Sequence, residues 1–310
     1  MARINHQHKP FKKRKSLVKL LAGRNLQINR RDKTFKKYSY YYLINGYSSV
    51  FIHNVNNTIP DYTGASIDYF VRMEEFDFEI RTRVLKEILR IENRVKNHVF
   101  YVFASYHGDQ DYLIPSNFDT FGKINKKKNV YALLSKLNNK IAQNCNTDSS
   151  RNHAAFNHYI TQHNNIPPWV LKLELTLGEL SKFYSNLQSP VRQTIAKEYK
   201  VQENVLGTLL YFLSQVRNKC AHNERIYDAK LITKLPINPY HTHFNIQKRN
   251  NFFAVLIALK FLMTAEEYKK FIEYIDTQLT ELKQGIPTAY VNSILTIMGI
   301  PSNWKDVCTI

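Results

Sequence analysis

The chain of 310 residues is long enough for one large domain or two smaller ones with a sizeable core. Its hydrophobic content of 44% and aromatic content of 13% exclude a disordered protein, and a total of 9 glycines disfavours folds built on Gly-rich nucleotide loops. The formal net charge of +19 favours a polyanionic partner, above all nucleic acid.

The positive charge is concentrated near the N-terminus. Residues 1–40 contain 13 Lys or Arg and 1 acidic residue, so they carry +12, and the other 270 residues share +7. A basic arm of this kind is typical of proteins that bind phosphate backbones, and a solvated tail that only keeps the chain soluble is the alternative. The predicted RNA-binding residues are Lys12, Lys13, Arg14, Lys15, Lys19, Arg24, Arg30, Arg31, Lys33, Lys36, Lys37, Tyr41, Tyr42, Lys126, Lys127 and Lys128.

Helical patterns follow one another along the chain, without the alternation that is typical of strands. A short basic helix is predicted at 16–24, the aromatic segment 38–51 is ambiguous between helix and strand, and a long amphipathic helix is predicted at 76–106. The rest is predicted as a basic loop at 108–130, helices at 129–145, 167–184, 190–200, 204–217 and 251–263, and a Thr264/Glu267 capping box before a last helix. We therefore expect an all-α fold.

The long amphipathic helix has a regular apolar face. Its members recur every three or four residues and are Ile80, Val84, Ile88, Ile91, Val95 and Val99. Glu92 on the same helix, and Glu174 further along the chain, are candidates to pair with arginines of other helices. Such a pair is either a structural ion pair or a contact that orients a catalytic arginine.

The segment 217–222 reads Arg-Asn-Lys-Cys-Ala-His at the end of a predicted helix. Asn218 and His222 are one helical turn apart and share a face, and the long side chain of Arg217 lies beside them. An imidazole, an amide and a permanent cation are thus within reach of one phosphate. The spacing has two similar instances in the chain, Arg151 with His158 and Arg94 with His98, and an ordinary polar helix end is the alternative.

These three side chains suit RNA cleavage without a metal ion. An imidazole takes the proton of a ribose 2′-OH, the 2′-oxygen attacks the adjacent phosphorus, and an acid protonates the departing 5′-oxygen. The guanidinium stabilises the charge that builds on the phosphoryl oxygens. Because one chain offers one such histidine, a symmetric dimer with two of these helices face to face would supply the second.

Other chemistry has less support. No set of histidines, or of histidines and carboxylates, has the spacing of metal ligands on a predicted helix. The chain also has no Walker loop, nucleophile elbow or dinucleotide fingerprint, so we expect no metal and no cofactor. The three scattered cysteines indicate a reducing compartment. The basic N-terminus predicts no signal peptide, and the longest apolar run, 252–263, is too short to span a bilayer. A soluble, cytoplasmic protein is expected.

Four blocks carry a resemblance to a known family: 41–47 (YYLINGY), 167–182 (PPW followed by ELTLGELSK), 217–228 (RNKCAHNERIYD) and 298–304 (MGIPSNW). In this order they resemble the Abi-like proteins of the abortive infection AbiD/AbiF type, which belong to the HEPN superfamily of helical RNases and RNA-binding domains. The resemblance extends from about residue 10 to 305. The chain departs from the family pattern at Asn223-Glu224 and at 227–229, where it is less basic.

The resemblance implies a HEPN-type helical bundle with a basic N-terminal extension and additional helices. It implies a phage-resistance protein that acts on RNA, with Arg217 and His222 catalytic and Asn218 auxiliary in a composite site of a homodimer. We expect an RNA-binding region at 1–70 and a HEPN-like domain at 71–310. A non-catalytic protein that holds a structured small non-coding RNA is the alternative, and a DNA-binding regulator is a third reading with no helix-turn-helix to support it.

Overall fold

The structure is a computed structural model that describes residues 10–53, 59–121, 124–146 and 153–309. The described residues form α-helices and no strands, which confirms the all-α prediction. The helices are α1 (Arg14–Ala22), α2 (Thr34–Lys37), α3 (Gly46–Phe51), α4 (Ile67–His107), α5 (Ile124–Cys145), α6 (Ala154–His163), α7 (Pro168–Leu171), α8 (Leu177–Asn186), α9 (Ser189–Glu198), α10 (Glu203–Ala221), α11 (Pro239–His243), α12 (Phe252–Lys260), α13 (Ala265–Gly285) and α14 (Thr288–Met298).

The long helix α4 confirms the predicted apolar face. All six residues of the stripe, from Ile80 to Val99, are completely buried. The helix begins at Ile67 instead of at residue 76, because the side chain of Ser66 accepts a hydrogen bond from the Asp68 N–H (3.2 Å) and caps the first turn. The ambiguous aromatic segment is helical, with a π-helical turn at Tyr41–Asn45 that leads into α3.

Two predictions of local structure are wrong. The basic loop at 108–130 is helical from Ile124 onwards, so Lys126, Lys127 and Lys128 lie in the first turns of α5. Lysine has a good helix propensity, which a loop prediction based on charge overlooks. The single helix predicted at 167–184 is two helices, because the chain is extended at Leu175 and Thr176 before α8 begins.

The chain divides into two compact units, Met1–Ile80 with Tyr274–Ile297 and Arg81–Glu273 with Met298–Ile310. The functional division at residue 70 stays a prediction, since it concerns RNA binding. In the first unit the aromatic ring of Phe51 packs against Phe70 (ring centroids 4.5 Å apart) and Tyr290 (5.2 Å). Among the described residues, no helix combines the length and the apolar character that a bilayer span requires.

The second unit holds α10 in a well-packed core. Phe183 of α8 stacks on Phe100 of α4 at 4.6 Å and meets Phe103 edge-on at 5.0 Å. Gly207 of α10 packs near Tyr184 of α8: a Cβ at this position would meet the tyrosine ring at 3.5 Å, an ordinary van der Waals distance. The inner face of α10 is buried along its length, so its outer face is presented by a packed element; the buried side chains include Leu206, Leu209, Leu210, Phe212, Leu213 and Val216.

A capping box begins α8. The Thr176 hydroxyl accepts from the Glu179 N–H (3.3 Å), and the Glu179 carboxylate accepts from the Thr176 N–H (2.8 Å). Lys136 and Lys140 lie 2.9 and 3.3 Å from the same carboxylate. Burial disfavours its ionisation, but the Thr176 N–H and the two ammonium groups outweigh burial and lower the pKa of Glu179 from 4.5 to about 2.

The lowered pKa of Glu179 predicts a specific dependence of stability on pH. The ionised carboxylate stabilises the folded chain above its unfolded pKa of 4.5, and this stabilisation is lost as the pH falls toward the folded pKa of about 2. Glu179→Gln should therefore lower the free energy of unfolding by about 1 to 2 kcal/mol at neutral pH. Urea titrations should show the difference from wild type shrinking below about pH 4. A difference that stays constant with pH would contradict this account.

Candidate active site

The helix α10 ends at the predicted motif in a well-defined way. The Asn223 N–H donates to the Cys220 carbonyl (3.2 Å), and the Glu224 N–H donates to the Lys219 carbonyl (2.9 Å). Asn223 has a left-handed φ of 59°. This pattern is a Schellman motif, in which asparagine takes the place of the more common glycine. The hydrogen bonds fix the backbone of His222, which is the first residue beyond the helix.

Two of the three motif residues are exposed, and the third is half-buried. Asn218 and His222 are exposed, and the His222 N–H donates to the Asn218 carbonyl (2.9 Å), as expected for residues one turn apart. The predicted shared face is therefore present. Arg217 is half-buried, with its side chain 30% exposed. An exposed imidazole and amide thus stand next to a cation that is partly held by the protein.

Arg217 is held by the acid that the sequence singles out on α4. Its Nε lies 4.0 Å from Glu92 Oε2, which is an ion pair but too long for a hydrogen bond. Neither of these two buried atoms has a hydrogen-bond partner. The other carboxylate oxygen of Glu92 is 2.7 Å from Lys96 Nζ. The prediction that Glu92 pairs with an arginine of another helix is confirmed, and Lys96 is a partner that sequence reasoning missed.

The second predicted acid behaves differently. Among the described residues, no arginine lies within ion-pair distance of Glu174, and its pairing with an arginine stays a prediction. Its backbone carbonyl instead accepts a hydrogen bond from Lys140 Nζ (2.9 Å). Glu174 ends a 3-10 turn, Lys172–Glu174, between α7 and α8.

The acid next to the motif is neutralised locally. Glu224 Oε2 lies 2.6 Å from Lys219 Nζ, and Asp228 lies 3.2 Å from an Arg225 guanidinium nitrogen. A paired carboxylate repels a nearby phosphate less than a free one. The acidic departures from the family pattern therefore come with their own counter-charges.

The similar spacing on α4 has a structural use. Both terminal nitrogens of Arg94 donate to Glu267 Oε2 at 3.1 Å. The His98 ring meets Tyr199 edge-on, with centroids 5.9 Å apart. These contacts tie α4 to its neighbours. In the other instance, Arg151 lies outside the described residues.

The predicted RNA-binding residues lie mainly on the surface. All of them are exposed except Arg24 and Tyr42, which are half-buried, and Tyr41 is 75% exposed. Two have acidic neighbours: Lys126 Nζ is 2.6 Å from Asp119, and Lys37 Nζ is 3.8 Å from Glu75. Their accessibility is compatible with phosphate contacts, and their role stays a prediction.

The contact between Glu92 and Arg217 predicts the effect of a single substitution. Glu92→Gln removes the charge that faces Arg217 and Lys96, so we expect a loss of about 1 to 3 kcal/mol in the free energy of unfolding. If Glu92 positions Arg217, the cleavage of RNA that the sequence predicts should fall as well. Lys96→Met is the matched control, because it breaks the pair with Lys96 but leaves the carboxylate beside Arg217. If Glu92→Gln and Lys96→Met cleave RNA at the same rate, Glu92 has a structural role only.

Comparison with known proteins locates the motif within a family. A model of the family described as Abi-like protein matches residues 33–228. The match includes three of the four resembling blocks, and the block at 298–304 lies outside it. No curated protein and no solved structure matches the chain. Since the match covers more than half of the sequence and contains the helix end that carries Arg217, Asn218 and His222, the chain belongs to the family of Abi-like proteins.

Proposed function

We propose that this chain is an abortive-infection protein that confers phage resistance by binding RNA and cleaving it without a metal ion. Membership of the Abi-like family supports the role in abortive infection. The basic N-terminal segment supports RNA as the partner, because it concentrates +12 of the net charge of +19. The AbiD/AbiF subtype, the HEPN-type bundle and the cytoplasmic location are parts of the same proposal.

The observation that carries the enzymatic proposal is the arrangement at the end of α10. His222 and Asn218 are accessible to a phosphodiester on one face, while Glu92 holds the neighbouring guanidinium of Arg217. A reaction that needs a proton acceptor and a cation at the same phosphate finds both here. Glu92 acts as a positioning residue, because it touches Arg217 and not the substrate.

In the proposed reaction the imidazole of His222 accepts the proton of the ribose 2′-OH. The 2′-oxygen then forms a bond to phosphorus as the bond from phosphorus to the 5′-oxygen breaks, and a protonated imidazole supplies the proton that this oxygen needs. Arg217 stabilises the charge on the phosphoryl oxygens, and the amide of Asn218 orients the imidazole. The products are a 2′,3′-cyclic phosphate and a 5′-hydroxyl end.

The second imidazole belongs, in this proposal, to a second copy of the chain. Two copies that meet at the C-terminal ends of α10 would bring both His222 side chains to one phosphate, with a guanidinium from each chain. The proposed reaction therefore needs the homodimer, because the second copy supplies the general acid.

The alternative is a protein of the same family that holds a structured small RNA without cutting it. The neutralised acids beside the motif favour this reading, because Lys219 and Arg225 are paired with Glu224 and Asp228 and are therefore less able to stabilise additional negative charge. Copurification of one defined small RNA, free of cleavage products, would support the alternative.

The enzymatic proposal is tested by incubating single-stranded RNA with the full chain in EDTA. Wild type should cleave RNA but not DNA of the same sequence, and Arg217→Ala and His222→Ala should lose the activity. His158→Ala is the matched control, because His158 is an exposed helical histidine outside the motif. The proposal fails if wild type cleaves nothing, or if both motif variants cleave as fast as wild type.

A further inference from the structure

A cavity of about 780 Å³ opens beside the N-terminal half of α10, within the second unit. It lies between α5, α8 and α10, and its size falls in the range of sites that bind small ligands or single nucleotides. Its lining combines apolar side chains with polar groups that project from each helix, among them Asn129, Lys182, Ser185, Thr208 and Tyr211.

The acidic residues that line this cavity are already neutralised. Asp119 is 2.6 Å from Lys126, and Glu203 is 3.1 Å from Arg192 Nε. The third acid, Glu179, is held by two lysines and by the capping box of α8. An anion that enters the cavity therefore faces carboxylates whose negative charge is balanced by neighbouring cations.

Two cationic features remain available at the cavity. Lys182 is exposed, and no acidic group of the described residues lies within ion-pair distance of it. An adjoining depression, which shares Glu203 and Asn204 with the cavity, adds the exposed Lys197 and Lys200 to the surrounding surface. The combination of compensated acids and additional lysines complements a chain of phosphates more closely than it does a neutral ligand.

An aromatic ring also borders the cavity. Tyr211 lies on the same helix as the Arg217/His222 motif, and its side chain is 45% exposed. Tyrosine rings that are partly exposed beside lysines are the usual platforms on which unpaired bases stack. Asn129, which is exposed on α5, supplies an amide that can hydrogen-bond a base edge.

The cavity and the motif share one face of α10. Residues that are exposed or half-exposed recur along this face at alternating spacings of four and three, at 204, 208, 211, 215, 218 and 222. Between the cavity and the motif, Ile232 and Thr233 form hydrogen bonds of 3.0 and 2.6 Å with the side-chain amide of Gln215, so a strand would pass over this contact. Tyr211 precedes His222 by about 16 Å along the helix axis. A mononucleotide cannot extend over both positions, whereas a nucleic acid strand can.

We propose that this cavity binds an unpaired nucleotide of a single-stranded RNA, and that a phosphodiester further along the same strand lies at Asn218 and His222. The inference rests on the proposed function, since it assigns a binding site to the RNA of that same reaction. One base stacks on Tyr211, Lys182 neutralises a phosphate, and the strand continues along α10 to the motif. An unpaired strand is required because a base in a duplex is not free to enter a cavity between helices.

The test measures binding of a fluorescent single-stranded RNA of about 12 nucleotides, a length within the site sizes of single-strand binders. Tyr211→Ala should weaken binding about tenfold, and Lys182→Ala should weaken it and lower the slope of log K against log salt by about 0.7. Tyr101→Ala and Lys248→Ala are matched controls, because Tyr101 is 76% exposed on α4 and Lys248 is exposed away from the cavity. Thermal unfolding verifies that each variant is folded.

A cross-linking experiment on the unmodified chain gives a second readout. RNA that carries 4-thiouridine should cross-link to peptides that contain Tyr211 or Lys182. If wild type binds RNA but both cavity variants bind as tightly as the controls, or if no cross-link reaches the cavity, the cavity inference is overturned and the proposed function stands. If wild type binds no RNA, both fail. Equal binding of duplex RNA, or of a mononucleotide, would also overturn the inference.

Discussion

Replacing His222 with alanine is expected to lower the rate of RNA cleavage by about 100- to 10,000-fold, the range that a general acid or base contributes. The side chain is exposed at the end of α10, and its backbone is fixed by the hydrogen bonds of the helix end. The substitution therefore removes the imidazole and leaves the fold unchanged. Single-turnover rates with chelated metal, together with unfolding curves of both proteins, measure the effect.

The His158→Ala variant shows whether a loss of cleavage activity is specific to His222. His158 is also exposed and helical, but its ring contacts Tyr159 and His163 and lies outside the motif. Its cleavage rate should equal that of wild type. If the two histidine variants lose activity to the same extent, the loss reflects a general effect on the chain. If His222→Ala retains full activity, His222 is not the proton acceptor.

Neutralising the basic arm is expected to have the largest effect on affinity for RNA. Lys12, Lys13, Lys15 and Lys19 are all exposed at or near α1, so glutamine at the four positions should remove phosphate contacts without disturbing the core. Each lost contact with a single strand should reduce the slope of log K against log salt by about 0.7, which amounts to about 3 in total. Binding at moderate salt should fall by at least about tenfold.

A matched set of lysines distinguishes the effect of the basic arm on RNA binding from the effect of net charge. Lys86, Lys230, Lys248 and Lys283 are also exposed, and the same fourfold change to glutamine removes the same total charge. This control should retain most of the salt slope, because only a local phosphate contact releases a condensed counterion. Equal slopes for the two sets would show that the arm has no specific part in binding.

Periodicity predicts those features that depend on residues near one another in sequence. The stripe on α4 is buried as expected, since every third or fourth residue of a helix returns to the same face. The capping box of Thr264 and Glu267 is formed, with hydrogen bonds of 2.9 and 3.3 Å. α10 also extends through the motif as far as Ala221, which places Asn218 and His222 on one face.

Features that depend on tertiary packing are not contained in local patterns. The extended backbone at Leu175 and Thr176 interrupts a segment of good helix formers, because Thr176 caps a new helix there. The pairing of Glu92 with Arg217, and not with another arginine, depends on how α4 packs near α10. The cavity beside Tyr211 depends on three helices and a glycine at one crossing, so periodicity along any single helix does not reveal it.

The most direct test of the central claim replaces one ribose at the cleaved position with 2′-deoxyribose. With metal chelated, wild type should cut the all-RNA strand to a 2′,3′-cyclic phosphate and a 5′-hydroxyl end. It should leave the same bond intact when the 2′-OH is missing, because the attacking oxygen is gone. Mass spectrometry of the products shows whether the bond is cut and which end groups the products carry. Cleavage that persists at the 2′-deoxy position, or a product with a 5′-phosphate, would contradict transesterification at Arg217, Asn218 and His222.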